Sequence, residues 1–159
     1  MNTETWDGGA VQTAHTTEHS IVVGTDGSVT AEAAVRWALE LAAGGQASVH
    51  LVTAYRDFSS DRERLRGTAR SQPVELREAA EAVLARAGRP FDDASIEAST
   101  HARAGNAADV IIEVAEEQDA DLIVVGARGL NGLERFLLGS VSSKLAHHAP
   151  CSVMIVREP

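Results

Sequence analysis

Short, uninterrupted apolar runs alternate along this chain with longer stretches in which apolar residues recur every three or four positions. Ile21-Val22-Val23-Gly24 is the first run, and it breaks into Thr25-Asp26-Gly27-Ser28, a string of turn residues. From Thr30 to Ala43 the period becomes helical, with Ala34, Trp37, Ala38 and Leu41 on the expected inner face and Gly44-Gly45 as the stop. Ala47 to Ala54 predicts a second strand. The charged connection from Tyr55 to Gln72 exceeds the ~12–15 residues beyond which loops become uncommon. Pro73 suits the first turn of a second helix carrying Leu76, Ala80, Val83, Leu84 and Ala87 on one face, with Gly88 closing it.

The second half repeats the alternation. Ala94 to Ala102 is a weaker strand, and Gly105-Asn106 introduces a helix through Glu117 with Val110, Ile111, Val114 and Ala115 inward. Leu122 to Val125 has no polar face, which implies cover on both sides. A fourth helix starts near Ser140 and ends before Pro150, and Ser152 to Val156 closes the chain as a strand. Strict alternation predicts one doubly wound α/β domain, a five-stranded parallel sheet with helices on both faces. Ligands of such sheets sit beyond the carboxyl ends of the strands, where strand order reverses. The first strand ends at Gly24-Thr25-Asp26 and the fourth at Gly126, so these two flank the crevice if they are neighbours.

Composition narrows the class. With 159 residues the chain suits one domain with a full core, and a formal charge of −9 argues against nucleic acid as partner. Cys151 is the single cysteine, which excludes an internal disulfide and makes a cytoplasmic setting the expectation. No apolar run reaches membrane-spanning length, and no membrane partner is expected. Residues 1–19 read as a disordered tail; its His15 and His19 fit solvated positions better than a metal site.

The segment from Gly126 is the most informative. Glycine costs conformational entropy on folding, so a cluster of glycines needs a reason such as a tight turn or a backbone approaching a ligand. The pattern G-x-x-x-x-G-K-[ST] is absent, and so is G-x-G-x-x-G after the first strand. What stands there is Gly126-x-x-Gly129, nine residues, then Gly139-Ser140. A strand running into such a loop and then a helix start supports a phosphate-bearing ligand, because bare N–H groups and a helix N-terminus hold anions.

This spacing matches G-2x-G-9x-G-[ST], and the chain resembles the ATP-binding universal stress proteins. The resemblance also covers Ile21-Val-Val-Gly-Thr-Asp-Gly-Ser28, Asp121-Leu-Ile-Val-Val-Gly126 and His147-His-Ala-Pro-Cys-Ser-Val-Met-Ile-Val156, in the right order from Ser20 to Arg157. It implies a Rossmann-like domain over residues 20–157 that binds ATP, with Mg2+ as a possible companion of the triphosphate. The nucleotide would meet Gly24, Asp26 and Ala54 on one side of the crevice. On the other it would meet Gly126, Ala127, Arg128, Gly129, Leu130, Asn131, Gly132, Gly139, Ser140 and Val141. Asp26 would approach the ribose or a metal, although taken alone it reads better as a turn or helix-capping residue. Gly126 would let the chain turn over the crevice, while Gly129 and Gly139 keep amides accessible.

Ser140 reads as a helix cap or phosphate contact and not as a nucleophile, since no oriented His–carboxylate pair accompanies it. His147 and His148 suit a helix C-terminus, and Cys151 reads as a small buried residue. The Arg56–Arg70 segment, with five arginines against three acids, should hang over the same sheet edge as a solvated loop. The implied function is that of a nucleotide-dependent regulatory protein in stress response, not an enzyme, which acts on an unidentified protein partner. The alternatives are a scaffold for which nucleotide is incidental and, third, a slow ATP hydrolase. Val153-Met-Ile-Val156, apolar throughout and last in the chain, predicts a sheet edge that pairs with a second copy in a homodimer.

Overall fold

Apolar residues at consecutive positions of the central strands require cover on two faces, and both faces have it. The computed structural model describes residues 19–45, 47–56, 72–129 and 138–157. In order these form β1 (His19–Gly24), α1 (Val29–Ala43), β2 (Ala47–Tyr55), α2 (Gln72–Asp93), β3 (Ala98–Ala104), α3 (Ala107–Glu117), β4 (Leu122–Gly126), α4 (Ser140–His148) and β5 (Ser152–Val156). All neighbouring strands are parallel, in the order β3-β2-β1-β4-β5. The predicted doubly wound sheet is therefore the fold. Ile21 and Val23 meet Ala34, Val35 and Ala38 of α1 and Leu84 and Phe91 of α2 on one face. Val22, Ile123 and Val125 meet Val110, Ile111 and Val114 of α3 and Leu145 of α4 on the other.

Local sequence explains most element ends. Ser28 caps α1 by accepting the Ala31 N–H at 3.4 Å, and Asn106 caps α3 by accepting the Ala108 N–H at 3.1 Å. Asp119 closes α3 in a left-handed conformation, φ 46°, with the Ala120 N–H donated to the Ala115 carbonyl at 2.9 Å.

Several expectations fail. Gly88 does not end α2: the helix runs on to Asp93 with Pro90 inside it. Phe91 is fully buried in the core, and emptying such a site costs ~3–5 kcal/mol. That offsets the ~3 kcal/mol of an interior proline. The stop comes at Ser95, φ 57°, where the Ile96 N–H reaches back to the Phe91 carbonyl at 2.9 Å. β3 starts later than predicted for this reason. On α1, Trp37 and Leu41 are 49% and 38% exposed. The buried stripe is Ala31, Ala33, Ala34, Val35, Ala38 and Ala42, small residues that let the helix lie close to the sheet. β1 also begins at His19, which the expected tail included; residues 1–18 lie outside the described residues, as does all of the Arg56–Arg70 segment except Arg56.

Across β2 and β3, His50 Nδ1 and His101 Nε2 lie 3.3 Å apart, a contact that needs one ring nitrogen to accept a hydrogen bond from the other ring's N–H. Burial lowers the pKa of His50. Burial lowers that of His101 too, reinforced by His50 and by Arg103, with Glu117 opposing. The folded state therefore favours neutral rings, while the unfolded chain takes up protons as pH falls through ~6.5. The stabilisation is complete above that pH and is lost below it. Thermal melts should show the protein less stable at pH 5.5 than at pH 7.5, at fixed ionic strength. His101→Gln should flatten this slope; an unchanged slope in that variant refutes the assignment to the pair.

Candidate functional site

The chain leaves β1 towards β2 on one side and leaves β4 towards β5 on the other, so the crevice opens between two strands that are hydrogen-bonded neighbours. Gly24 stands opposite Val125 in that ladder. After β1 the turn is held rigidly. The Thr25 N–H donates to the Val52 carbonyl at 2.9 Å, and the Thr53 hydroxyl donates to the Thr25 carbonyl at 2.7 Å. Asp26 Oδ1 accepts the Ser28 N–H at 2.9 Å, so its turn role is real. Its second oxygen faces Gly129 in the segment after β4, here called the strap, of which residues 127–129 and 138–139 are described.

That strap is fastened at its neck. The Ala127 N–H donates to the Val156 carbonyl at 2.7 Å, and the Gly139 N–H donates to the Ala127 carbonyl at 2.8 Å. The buried Ser142 hydroxyl lies 3.0 Å from the Ala127 carbonyl and 3.1 Å from that of Gly139. Thr30, in the first turn of α1, donates its hydroxyl to the Arg128 carbonyl.

The glycines divide by cause. A Cβ on Gly126 would fall 2.6 to 2.8 Å from the Thr30 side chain and backbone, so this glycine admits α1 rather than turning the chain over a ligand. A Cβ on Gly129 would fall 2.5 Å from Asp26 Oδ2. Gly139 is different: its backbone is extended, φ −65° and ψ 163°, and among the described residues an added Cβ would meet nothing closer than 3.4 Å. The described part of the fold does not demand a glycine there. Its own N–H is also committed to Ala127, contrary to expectation. The donors that helix geometry leaves without an acceptor on their own helix are those of Ser140 and the residues after it in the first turn of α4. Ser140 is not the cap. Gly139 holds that position without a side-chain bond, and Ser140 is the first helical residue, exposed.

A cavity of about 360 Å³ lies between these parts, within the ~300–1,000 Å³ of small-molecule sites. Val52, Ala54, Ala107, Ile111 and Val125 give it an apolar wall; Asp26, Arg128, Gly129, Gly139 and Ser140 give it a polar rim. Such an arrangement can hold a planar apolar group at one end and an anion at the other. Among the described residues no group of three or more His, Cys, Asp or Glu could hold a metal.

Gly24, Asp26, Ala54, Gly126, Arg128, Gly129, Gly139, Ser140 and Val141 all line this one cavity. Ala127 is buried in the neck and is not among the lining residues. Leu130, Asn131 and Gly132 lie outside the described residues. Thr25, Ala31, Val52, Ala107, Ile111, Val125 and Ser142 also line it and were not expected. Topology could have found Ala107, which follows the Asn106 cap at the same sheet edge. The apolar ones look like any core residue in sequence. Elsewhere His147 and His148 close α4 as expected, His147 Nδ1 lying 2.8 Å from the Ser143 carbonyl. Cys151 is half-buried, and that burial raises its pKa.

The family profile described as universal stress protein family matches residues 18–157. A putative universal stress protein of Staphylococcus haemolyticus (strain JCSC1435), SH1215, is 32% identical over 146 residues, covering 89% of this chain and 86% of that protein. Two other curated relatives are matched over only 37% and 49% of their own length. A universal stress protein solved in complex with cAMP is 32% identical with a TM-score of 0.68, covering 87% of this chain and 96% of that one. The universal stress protein from Archaeoglobus fulgidus in complex with dAMP shares the fold, with 24% identity, a TM-score of 0.62 and coverage of 87% and 97%.

The division of the glycines is measurable in the ligand-free protein. Gly126→Ala should destabilise by ~1–3 kcal/mol, because backbone of α1 must move. Gly139→Ala should cost no more than ~1 kcal/mol, the difference between glycine and alanine as a cap. Urea denaturation of both variants checks the ranking, and equal costs would refute it.

Proposed function

The chain belongs to the universal stress protein family, and on that premise we propose that its β1–β4 crevice binds an adenine nucleotide, ATP in particular, and that the protein acts as a nucleotide-dependent regulator in stress response. One observation carries the reading: nine of the expected contact residues, drawn from β1 and the turn after it, β2, β4, the strap and α4, line a single cavity. The apolar wall suits the base. The first turn of α4, with Arg128 beside it, suits the phosphates. That a family member was solved with cAMP supports the adenine class.

Asp26 would accept from the ribose hydroxyls. Any Mg2+ would arrive on the triphosphate, since this ion keeps several waters and needs few protein carboxylates. Binding rather than turnover is the proposed mode of action. Hydrolysis would need a base to orient water, and Asp26 already anchors the turn that places it. A cytoplasmic setting goes with this reading; among the described residues no helix is long and apolar enough to cross a membrane.

Titration calorimetry with ATP, with and without Mg2+, and with AMP and cAMP tests the site. Gly139→Val should abolish binding with the fold retained, because its branched side chain occupies the approach to α4 while its φ and ψ suit any residue. Unchanged affinity in that folded variant rejects the site. Nucleotide released on denaturing the purified protein would identify the resident ligand.

The homodimer is proposed on separate grounds. β5 is a sheet edge, and Val153, Met154 and Ile155 on it are only half-buried. Pairing β5 with β5 of a second copy about a two-fold axis would satisfy its free row of N–H and C=O groups. Light scattering should report a dimer at micromolar concentration, and a folded Ile155→Pro variant, which loses an N–H on the open edge, should be monomeric. A monomeric wild type refutes the interface. If it dimerises but no nucleotide binds, the scaffold reading takes precedence.

A further inference from the structure

We infer that Thr30, a residue of α1 outside the glycine motif, sets the phosphate-binding geometry of the crevice by fixing the direction of the Gly129 N–H. The inference rests on the nucleotide reading of this site. Three observations converge on Thr30. Its hydroxyl donates to the Arg128 carbonyl. Gly126 packs so closely on it that a single added carbon would come within 2.8 Å of its backbone carbonyl oxygen and 2.6 Å of its hydroxyl oxygen. Helix α1 is itself anchored at this end by the Ser28 cap and by the Arg86 guanidinium, which donates to the Gly27 carbonyl at 3.0 Å.

A trans peptide unit is planar, so its C=O and N–H point in opposite directions. The Arg128 carbonyl points at α1. The Gly129 N–H, in the same peptide unit, therefore points away from α1, towards the side of the sheet that carries α3 and α4. That is where Ala107, Ile111, Ser140 and Val141 line the cavity. Asp26 beside Gly129 narrows the space for the opposite arrangement, since its carboxylate oxygen stands 2.5 Å from where a Gly129 Cβ would be. Turned about, the peptide would present the Arg128 carbonyl to the anion and repel it. Thr30 is thus a positioning residue: it touches no ligand but selects which face of one peptide the phosphate meets. Glycine at 129, with the widest backbone freedom, makes such an external restraint necessary.

The test compares AMP with adenosine by titration calorimetry on the full chain, since only AMP calls on the phosphate donor. Wild type should prefer AMP. Thr30→Val keeps the shape and removes the hydroxyl, and AMP affinity should fall about tenfold, the scale of one hydrogen bond to a charged group, with adenosine affinity unchanged. Thr30→Ser should restore the preference. In the ligand-free protein the Gly129 amide resonance should move in Thr30→Val and return in Thr30→Ser. Should Thr30→Val not fold, Thr30→Ala removes the same hydroxyl and frees space beside Gly126. A preference for AMP that survives hydroxyl removal, or an equal loss for both ligands, overturns the role of Thr30 alone. Wild-type protein that binds neither ligand overturns the nucleotide reading and this inference with it.

Discussion

The site exists because β1 pairs with β4. That ladder sets Gly24 against Val125 and so delivers two unrelated chain segments, the Asp26 turn and the glycine strap, to the same edge of the sheet. Strand residues buried on both faces fix the ladder in space, and a slip of one residue would turn Val22 and Val23 each to the wrong layer. Everything at the crevice inherits its precision from this pairing. The Asp26 turn is then secured to β2 through Thr25 and Thr53, and the strap is secured to β5 through Ala127. Among the described residues, Thr30–Arg128 and Asp26–Gly129 are two points where the halves meet. A cavity bounded by rigid strands and joined by two such contacts has a shape before any ligand arrives, which reduces the ordering cost of binding.

The fold was legible in the chain for a simple reason: its central strands have no polar face, and that pattern admits few architectures besides a sheet covered on both sides. The failures have equally local causes. Gly88 and Pro90 read as a helix end, and in isolation they would be one. Phe91, three residues past Gly88, makes continuing worthwhile, and nothing in the local pattern says that its ring will reach the core. Trp37 and Leu41 fit the helical period as well as Val35 and Ala42 do. Periodicity gives a stripe, but how closely the helix sits on the sheet decides which edge of the stripe is buried. At the site, loop residues with exposed chemistry could be named from sequence, whereas Val52 and Ile111 could not, because an apolar residue on a ligand and one in a core obey the same preference.

The glycine spacing holds a further lesson. A motif is a pattern of identities, yet its members here answer to different constraints. Gly126 is imposed by the backbone of α1 and Gly129 is crowded by the Asp26 carboxylate, while Gly139 is imposed by nothing within the described protein. A glycine that the fold does not require still carries its entropic cost in the unfolded chain. Its presence at the mouth of the cavity is therefore better evidence for a ligand than the two glycines that packing explains.

The two edges of the sheet are unequal, and the difference reaches the site. β3 carries Ser99, His101 and Arg103, the last paired with Glu117 at 2.7 Å, so polar groups blunt that edge. β5 has no such protection between Val153 and Val156. Its last carbonyl, on Val156, accepts the Ala127 N–H, and the Ala127 carbonyl in turn accepts the Gly139 N–H and stands within reach of the Ser142 hydroxyl. One residue thus joins the exposed edge strand to the neck of the strap and the start of α4. A partner docking on β5 and an anion drawing on α4 would act on the same short chain of hydrogen bonds. Ala127, Ser142 and Val156 in that chain are buried, so little space is open there to absorb a shift at one end before it reaches the other.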